Sequence, residues 1–341
     1  MQKIRQNNKT STLLFIFTLF LLFTFVLIQG CTSSTSSDDT QDGTDNNRPA
    51  GNIFIFTDTQ KIYQYNIAAN RFTLLNQNPY QPLDFAVSSN GLFVVATFPD
   101  SMLGLYNIPD QKWQYFNAGA LLKGPVSSNI YGTIIAYTVL AGKQRRINLL
   151  YPQSGSIYSL DLEKGNWADY PLFERSAGNG LAYTQDNGFV VFRISNGNSV
   201  RLSDLSLIAD DFSPYGQYVS ASGKIFDLTL YQYYPSTARG EIQFVNESKI
   251  VYNKTSRKIL TLAKLSGVLE ESIYTGQDSV IFCISPTGAQ IAFTDLAEQS
   301  LIHFYMFNPI GEITTASLPS GTGSIKKMYW RDSPVQGVAA L

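Results

Sequence analysis

The chain has 341 residues, with 25 basic and 26 acidic side chains and a formal net charge of −1 at pH 7. Proteins that bind nucleic acid carry an excess of basic residues, so this near-neutral balance argues against a nucleic-acid partner. The sequence contains one histidine, which excludes a metal site built from several histidines.

The first thirty residues have the pattern of an export signal. Three basic residues and no acidic residue accompany an apolar run from Leu13 to Ile28. The run ends in Leu-Ile-Gln-Gly-Cys at residues 27–31, which resembles the lipobox of bacterial lipoproteins. That resemblance implies a signal peptide over residues 1–30, cleavage before Cys31 and lipid attachment to Cys31. An uncleaved transmembrane helix is the alternative, because roughly 20 apolar residues span a bilayer.

The segment after Cys31 contains serine, threonine and aspartate and has no apolar run. Such a composition is typical of a flexible tether, which we assign to residues 31–50. Two or three acyl chains hold a protein stably on a membrane. We therefore expect an exported protein whose lipid on Cys31 anchors it in the cell envelope. Thr32 after the cysteine resembles lipoproteins that are sorted to the outer membrane of Gram-negative bacteria.

Residues 51–341 are predicted to form one all-β body. Short runs of Phe, Tyr, Ile and Val alternate with turn clusters of Gly, Asn, Asp, Ser and Pro, and no segment has a sustained helical period. About 290 residues in one β body favour a repeat architecture.

A strand-turn-strand unit recurs at residues 85–96, 212–219 and 284–293, with weaker copies at 126–137, 181–192 and 244–252. Its turn contains Ser-Pro-x-Gly at Ser285 and Ser213, and the glycine suits the positive φ of such turns. The unit resembles the WD40-like repeats of TolB-type β-propellers, which implies four-stranded blades around a central channel.

The spacing predicts full blades that begin near Leu83, Val126, Gly180, Ile208, Glu241 and Ser279. Residues 52–75 supply three further strands without an inner strand, and residues 325–330 supply one strand without followers. Pairing these two remainders would close a ring of seven blades and leave no long exposed edge. Six or eight blades remain alternatives.

An aspartate follows the second strand of three blades, at Asp58, Asp100 and Asp295. The propeller resemblance implies that these turns open on one face, where the carboxylates could receive a basic partner or a cation. The alternative is that each aspartate caps its own turn through local hydrogen bonds.

Other polar residues give little indication of catalysis. His303 lies in an apolar strand and is expected to be structural, and Cys283 lies in the apolar run 280–284 and is expected to be a buried, unreactive thiol. The neighbours Asp210 and Asp211 should point to opposite faces of a strand, which argues against an acid/base pair between them. No phosphate-binding loop, paired-cysteine metal motif or nucleophile elbow occurs, and we expect no cofactor.

A binding role therefore fits the sequence better than catalysis. The first hypothesis is a lipid-anchored scaffold that binds another envelope protein, a peptide or a glycan. The second is an envelope hydrolase or lyase that acts on a sugar or lactone with an acid in the channel, which would require several carboxyls of raised pKa in one deep pocket. The third is a structural adaptor with a large apolar patch.

Overall fold

The computed structural model describes residues 48–76, 81–160, 167–254 and 257–333. The lipobox at residues 27–31, including Cys31, and nearly all of the predicted tether lie outside the described residues. Within the described ranges, no helix is long and apolar enough to cross a membrane.

The described residues form seven four-stranded antiparallel sheets, which are the blades of a β-propeller. The first three strands belong to blade 1: β1 (Asn52–Thr57), β2 (Ile62–Asn66) and β3 (Arg71–Leu74). Blade 2 contains β4 (Asp84–Val87), β5 (Phe93–Phe98), β6 (Met102–Asn107) and β7 (Lys112–Asn117). Blade 3 contains β8 (Leu121–Ser128), β9 (Ile135–Ala141), β10 (Gln144–Tyr151) and β11 (Ser156–Ser159). Blade 4 contains β12 (Ala168–Phe173), β13 (Gly180–Gln185), β14 (Gly188–Arg193) and β15 (Asn198–Ser203).

The remaining strands complete the ring. Blade 5 contains β16 (Ala209–Phe212), β17 (Tyr218–Ala221), β18 (Lys224–Asp227) and β19 (Gln232–Tyr234). Blade 6 contains β20 (Ile242–Phe244), β21 (Lys249–Lys254), β22 (Ile259–Lys264) and β23 (Leu269–Thr275). Blade 7 contains β24 (Val280–Ile284), β25 (Gln290–Asp295), the 3-10 helix η1 (Leu296–Glu298), β26 (Leu301–Phe307) and β27 (Ile310–Ser317). The last strand, β28 (Ile325–Arg331), returns to blade 1.

The predicted closure of the ring is confirmed. Strand β28 pairs with β1 in antiparallel register, with Trp330 opposite Ile53 and Met328 opposite Ile55. It is the inner strand of blade 1, whose order is β28-β1-β2-β3. The two ends of the body thus share one sheet, and β1 has an inner neighbour to pair with.

The repeated turn has the same hydrogen bonds in three blades. In each copy a serine hydroxyl accepts from the amide five residues later. The same serine's carbonyl accepts from the amide of a glycine three residues later, and the serines are Ser88, Ser213 and Ser285. The glycines have φ between 70° and 71°, a region that residues with a side chain rarely adopt. The shared geometry explains why the serine and glycine recur in the sequence.

The prediction for the start of blade 4 is wrong. The strand at Gly180 is β13, the second strand of that blade, and the inner strand is β12. Tyr170 in β12 has φ 55°, and the register shifts between Asp169 and Leu172. A bulge of this kind, together with Pro171, removes the regular alternation by which a strand is recognised in a sequence.

The apolar core lies between blades. The buried side chains of the described residues fall into seven clusters, and each cluster joins two neighbouring blades. The cluster between blades 7 and 1 contains Trp330 and Phe304, both fully buried. The ring therefore has one small core at every interface, and the inner strands are held rigidly around the channel.

Candidate functional site

The centre of the ring holds a cavity of ≈720 Å³, which we call the channel cavity. The inner strands of all seven blades contribute to its wall: β4, β8, β12, β16, β20, β24 and β28. We call the face on which these strands begin the entry face. The cavity is the place where side chains distant in the sequence converge, so it is the first candidate for a binding site.

Polar side chains of one blade satisfy the free inner edge of the next blade. Asp84 Oδ2 accepts a hydrogen bond from the Val126 amide at 3.3 Å, and Asp211 Oδ2 accepts from the Phe244 amide at 2.9 Å. Two further blades use Ser127 Oγ, which accepts from the Phe173 amide at 2.9 Å, and Gln243 Nε2, which donates to the Phe282 carbonyl at 2.9 Å. Since the inner strand has no further strand to pair with, these bonds replace a sheet ladder. These side chains are therefore structural.

Two ion pairs also belong to the channel wall. Lys327 Nζ lies 3.1 Å from Asp84 Oδ1, and Arg175 Nη2 lies 2.5 Å from Asp211 Oδ1. Burial opposes the charge on Lys327, but Asp84 raises the pKa of Lys327 above its ordinary value. Arg331 donates to the Ser88, Trp330 and Val87 carbonyls. Burial, with repulsion from Arg175, lowers the pKa of Arg331 to about 10.

Asp210 differs from these wall residues. The backbone amides of Gly223 and Ile242 lie near its carboxyl and favour its ionised form. Its Oδ2 atom is shielded from solvent and has no hydrogen-bond partner among the described residues. The residue as a whole is half-buried and lines the channel cavity. Burial and then repulsion from the Glu241 carboxyl raise the pKa of Asp210 well above its ordinary value.

Glu241 is the second carboxyl of this pair. It lies directly before β20, and its Oε1 accepts a hydrogen bond from Gln243 Nε2 at 3.2 Å. Burial raises the pKa of Glu241, although the Gln243 hydrogen bond and the charge of Arg257 act in the opposite direction. Two neighbouring blades thus place two carboxyls of raised pKa in one cavity. Among the described residues, no group of three or more His, Cys, Asp or Glu side chains is arranged to hold a metal ion.

The three aspartates predicted at the turns lie on the entry face but outside the channel cavity. Asp58 is exposed, and its Oδ1 accepts from the Ser324 amide at 2.9 Å. Asp100 is exposed and has φ 60°. Asp295 is fully buried. The structure does not bring the three carboxylates together in one pocket, and their role in partner binding stays a prediction.

The surroundings of Asp295 are those of a turn cap. Its carboxylate accepts from the amides of Gln277 at 2.7 Å, Asp278 at 3.1 Å and Ala297 at 3.0 Å, and from the Tyr274 hydroxyl at 3.3 Å. Burial alone would raise the pKa of Asp295, but the three backbone amides lower it below the ordinary value. The carboxylate therefore stabilises the end of β25 and the start of η1.

His303 and Cys283 lie in blade 7. His303 stacks on the Phe293 ring at a centroid distance of 5.1 Å, and its two ring nitrogens lie 3.4 Å from Glu298 and Glu312 carboxylate oxygens. Cys283 is a free, buried thiol, as the sequence predicts, and burial raises its pKa to about 12. A thiol with such a pKa is protonated at neutral pH and is a poor nucleophile.

The sequence shows Asp210 as a strand residue but assigns it to no site, and it does not predict Glu241 as a neighbour of Asp210. One signal could have indicated them: an acidic residue occurs at or beside the start of several inner strands. The examples are Asp84, Asp169, Asp210 and Glu241. In a closed ring, such residues meet at the same end of the channel.

Comparison with known proteins agrees with this architecture. No family sequence profile and no curated protein sequence matches the chain. Solved structures do match: TolB from Acinetobacter baumannii has a TM-score of 0.53 at 10% identity, and the alignment covers 83% of this chain and 67% of TolB. The body is a propeller similar in fold to TolB and WD40 proteins.

Two further similar structures are a chain of the mitotic checkpoint complex and the β-propeller domain of Cps50 (Swd1) from Myceliophteria thermophila. The alignment with the first has a TM-score of 0.57 at 12% identity and covers 72% of this chain and 82% of that chain. The alignment with the second has a TM-score of 0.53 at 13% identity and covers 74% of this chain and 90% of that domain. Identities this low show a shared fold.

Proposed function

We propose that the protein is a binding scaffold of the cell envelope, anchored by lipid on Cys31, whose channel cavity takes a segment of another envelope protein. The observation that carries this proposal is the Asp210 carboxyl. It lines a cavity of ≈720 Å³, and its Oδ2 atom has no hydrogen-bond partner among the described residues. A buried acceptor without a partner costs free energy, which a bound donor would recover.

The rigidity of the ring supports the same function. The inner edges are satisfied by neighbouring blades, and every blade interface has its own core, so the cavity is preorganised. A preformed site loses little conformational entropy when a ligand binds. Described residues of the entry-face loops, such as Leu83, Ile208 and Ser279, line the cavity and would contact the flanking parts of the partner.

Site-specific crosslinking in intact cells tests the binding role. A photoreactive residue in place of Lys326, which is exposed and lines the cavity, should give a discrete adduct with another protein. The same residue in place of Tyr158, which is 59% exposed on the outer strand β11, is the control. We expect the adduct at 326 alone, and at a reduced yield when Asp210→Asn is added. Equal yields at both positions, or an adduct that contains only glycan, would contradict the proposal.

The anchoring and the signal peptide over residues 1–30 are supported by the lipobox resemblance at residues 27–31. Cys31→Ser should abolish metabolic labelling with a radioactive fatty acid and release the body from the membrane fraction. Cys283→Ser is the matched control, because it removes the other cysteine and should label as the native chain does. A Cys31→Ser variant that still labels would overturn the anchoring.

A second candidate function is favoured by the carboxyl pair in the cavity. Asp210 and Glu241 both have raised pKa values, and a protonated carboxyl can act as a general acid on a sugar or lactone. If the protein is an enzyme of this kind, Asp210→Asn should lower the turnover of such a substrate by about 10²–10⁴-fold. Turnover of envelope-derived sugars by the native chain, lost in the Asn variant, would favour the enzyme over the scaffold.

A further inference from the structure

We propose that Asp210 and Glu241 bind the side chain of a lysine or arginine from the partner segment. This inference rests on the proposed function and adds the chemistry of the group that enters the channel cavity. The carboxyls come from neighbouring blades: Asp210 is the second residue of β16, and Glu241 lies directly before β20. Both line the cavity.

The Asp210 carboxyl lies near backbone groups of two blades. The amides of Gly223, in blade 5, and of Ile242, in β20, favour its ionised form. The Oδ2 atom is left shielded and without a hydrogen-bond donor among the described residues. An ammonium or guanidinium group carries several N–H donors. If the Asp210 side chain turns toward the cavity, one such group can satisfy this oxygen and the Glu241 carboxyl together.

The other acids of the cavity already have cations. Asp84 pairs with Lys327, and Asp211 pairs with Arg175. Within the part of the chain that the structure describes, neither Asp210 nor Glu241 has an ion pair within 4.0 Å. The two carboxyls repel each other, and neither is held in a close ion pair, so a bound cation lowers the energy of both. A neutral or anionic group would leave that repulsion in place.

The rim of the cavity defines what should flank the basic residue. Lys123, Arg257 and Lys326 are exposed and line the cavity. Because water screens exposed charges, these cations repel a group at Asp210 weakly, but they favour acidic residues beside the basic one. The expected ligand is thus a basic side chain with acidic neighbours rather than a polycation.

The charges around Asp210 also give a pH dependence. Glu241 and Asp211 face it as acids, Arg175 neutralises Asp211, and Arg257 lies close to Glu241. Burial and Glu241 raise the pKa of Asp210, whereas a bound cation favours the ionised form. Binding below the raised pKa must therefore release a proton, and the affinity should increase as the pH rises through that pKa.

A phage-displayed library of random heptapeptides, selected on the full chain in detergent, tests the inference. We expect enrichment of peptides with one Lys or Arg next to acidic residues. A synthetic peptide of the enriched sequence should bind about 10- to 100-fold more weakly to Asp210→Asn and to Glu241→Gln, because each loses a charge-assisted contact. Asp110→Asn, an exposed acid in the turn between β6 and β7 and outside the cavity, is the matched control and should bind as the native chain does.

The outcomes separate this inference from the proposed function. Enriched peptides without a basic residue, or peptides that bind equally to Asp210→Asn and Glu241→Gln, would overturn the cation site and leave the scaffold function in place. A selection that enriches no peptide would overturn both. If the affinity for the enriched peptide does not increase between pH 5 and pH 8, the contact with an ionised Asp210 is wrong. Unfolding curves of each variant establish that its fold is intact.

Discussion

Trp330 is the residue by which the closure of the ring can be measured. It is 1% exposed, it packs edge-on against Phe304 at 5.5 Å between the last and first blades, and its Nε1 donates to the Ala50 carbonyl at 2.7 Å. Truncation of a buried tryptophan to alanine costs about 3–5 kcal/mol, and the lost hydrogen bond adds about 1 kcal/mol. Against a total stability of about 5–15 kcal/mol, Trp330→Ala should remove a quarter or more.

Equilibrium urea unfolding followed by far-UV circular dichroism measures this loss. Trp113 provides a matched control, because its Nε1 also donates to a backbone carbonyl, that of Leu75 at 3.0 Å, but it is half-buried on the outer strand β7. Trp113→Ala should therefore cost less than Trp330→Ala. If the two variants lose equal stability, or Trp113→Ala loses more, then β28 contributes less to the stability of the ring than the burial of Trp330 indicates.

Three further predictions follow from buried groups. Asp295→Ala should lower the free energy of unfolding by about 1.5–3 kcal/mol at pH 7, whereas Asp204→Ala, at a side chain that is 92% exposed, should change it by less than about 0.5 kcal/mol. Because folding lowers the pKa of Asp295, its carboxylate contributes its full stability above the unfolded pKa near 3.9. That contribution should disappear as the pH falls through the folded pKa. Unfolding curves of the native chain and of Asp295→Asn, compared at pH 7 and below about 4, will check this. Cys283 in a Cys31→Ser background should resist iodoacetamide at pH 8 until denaturant is added, and rapid alkylation of the folded chain would contradict its burial. His303→Gln should leave peptide binding within a few-fold of the native affinity, and a thousand-fold loss would indicate a functional histidine.

The sequence was sufficient for the fold because its turns carry local chemistry. The serine and glycine of each repeated turn have fixed hydrogen bonds and φ values, so they recur where the fold needs them. Closure was also predictable, because an apolar strand without partners at one end matched a blade without an inner strand at the other. Blade 4 was misread because β12 contains Pro171 and a bulge at Tyr170, which hide the strand pattern.

The channel cavity could not be predicted to the same degree. Asp210 and Glu241 are 31 positions apart, and only the order of the blades around the ring makes them neighbours. A sequence also does not show which acids are already paired. Asp84 and Asp211 look like Asp210 in the sequence, yet each is committed to a cation and to the backbone amide of the next blade.

The strand that completes blade 1 also imposes an order of assembly on the whole ring. Trp330 and its hydrogen-bond partner Ala50 are 280 positions apart in the sequence. Blades built from consecutive strands can form as soon as their own residues are available, but β1 has no inner neighbour until β28 has been synthesised. A chain that lacks those final residues is therefore an open arc with two unsatisfied ends, and chaperones or proteases that recognise exposed strand edges would distinguish it from the finished ring.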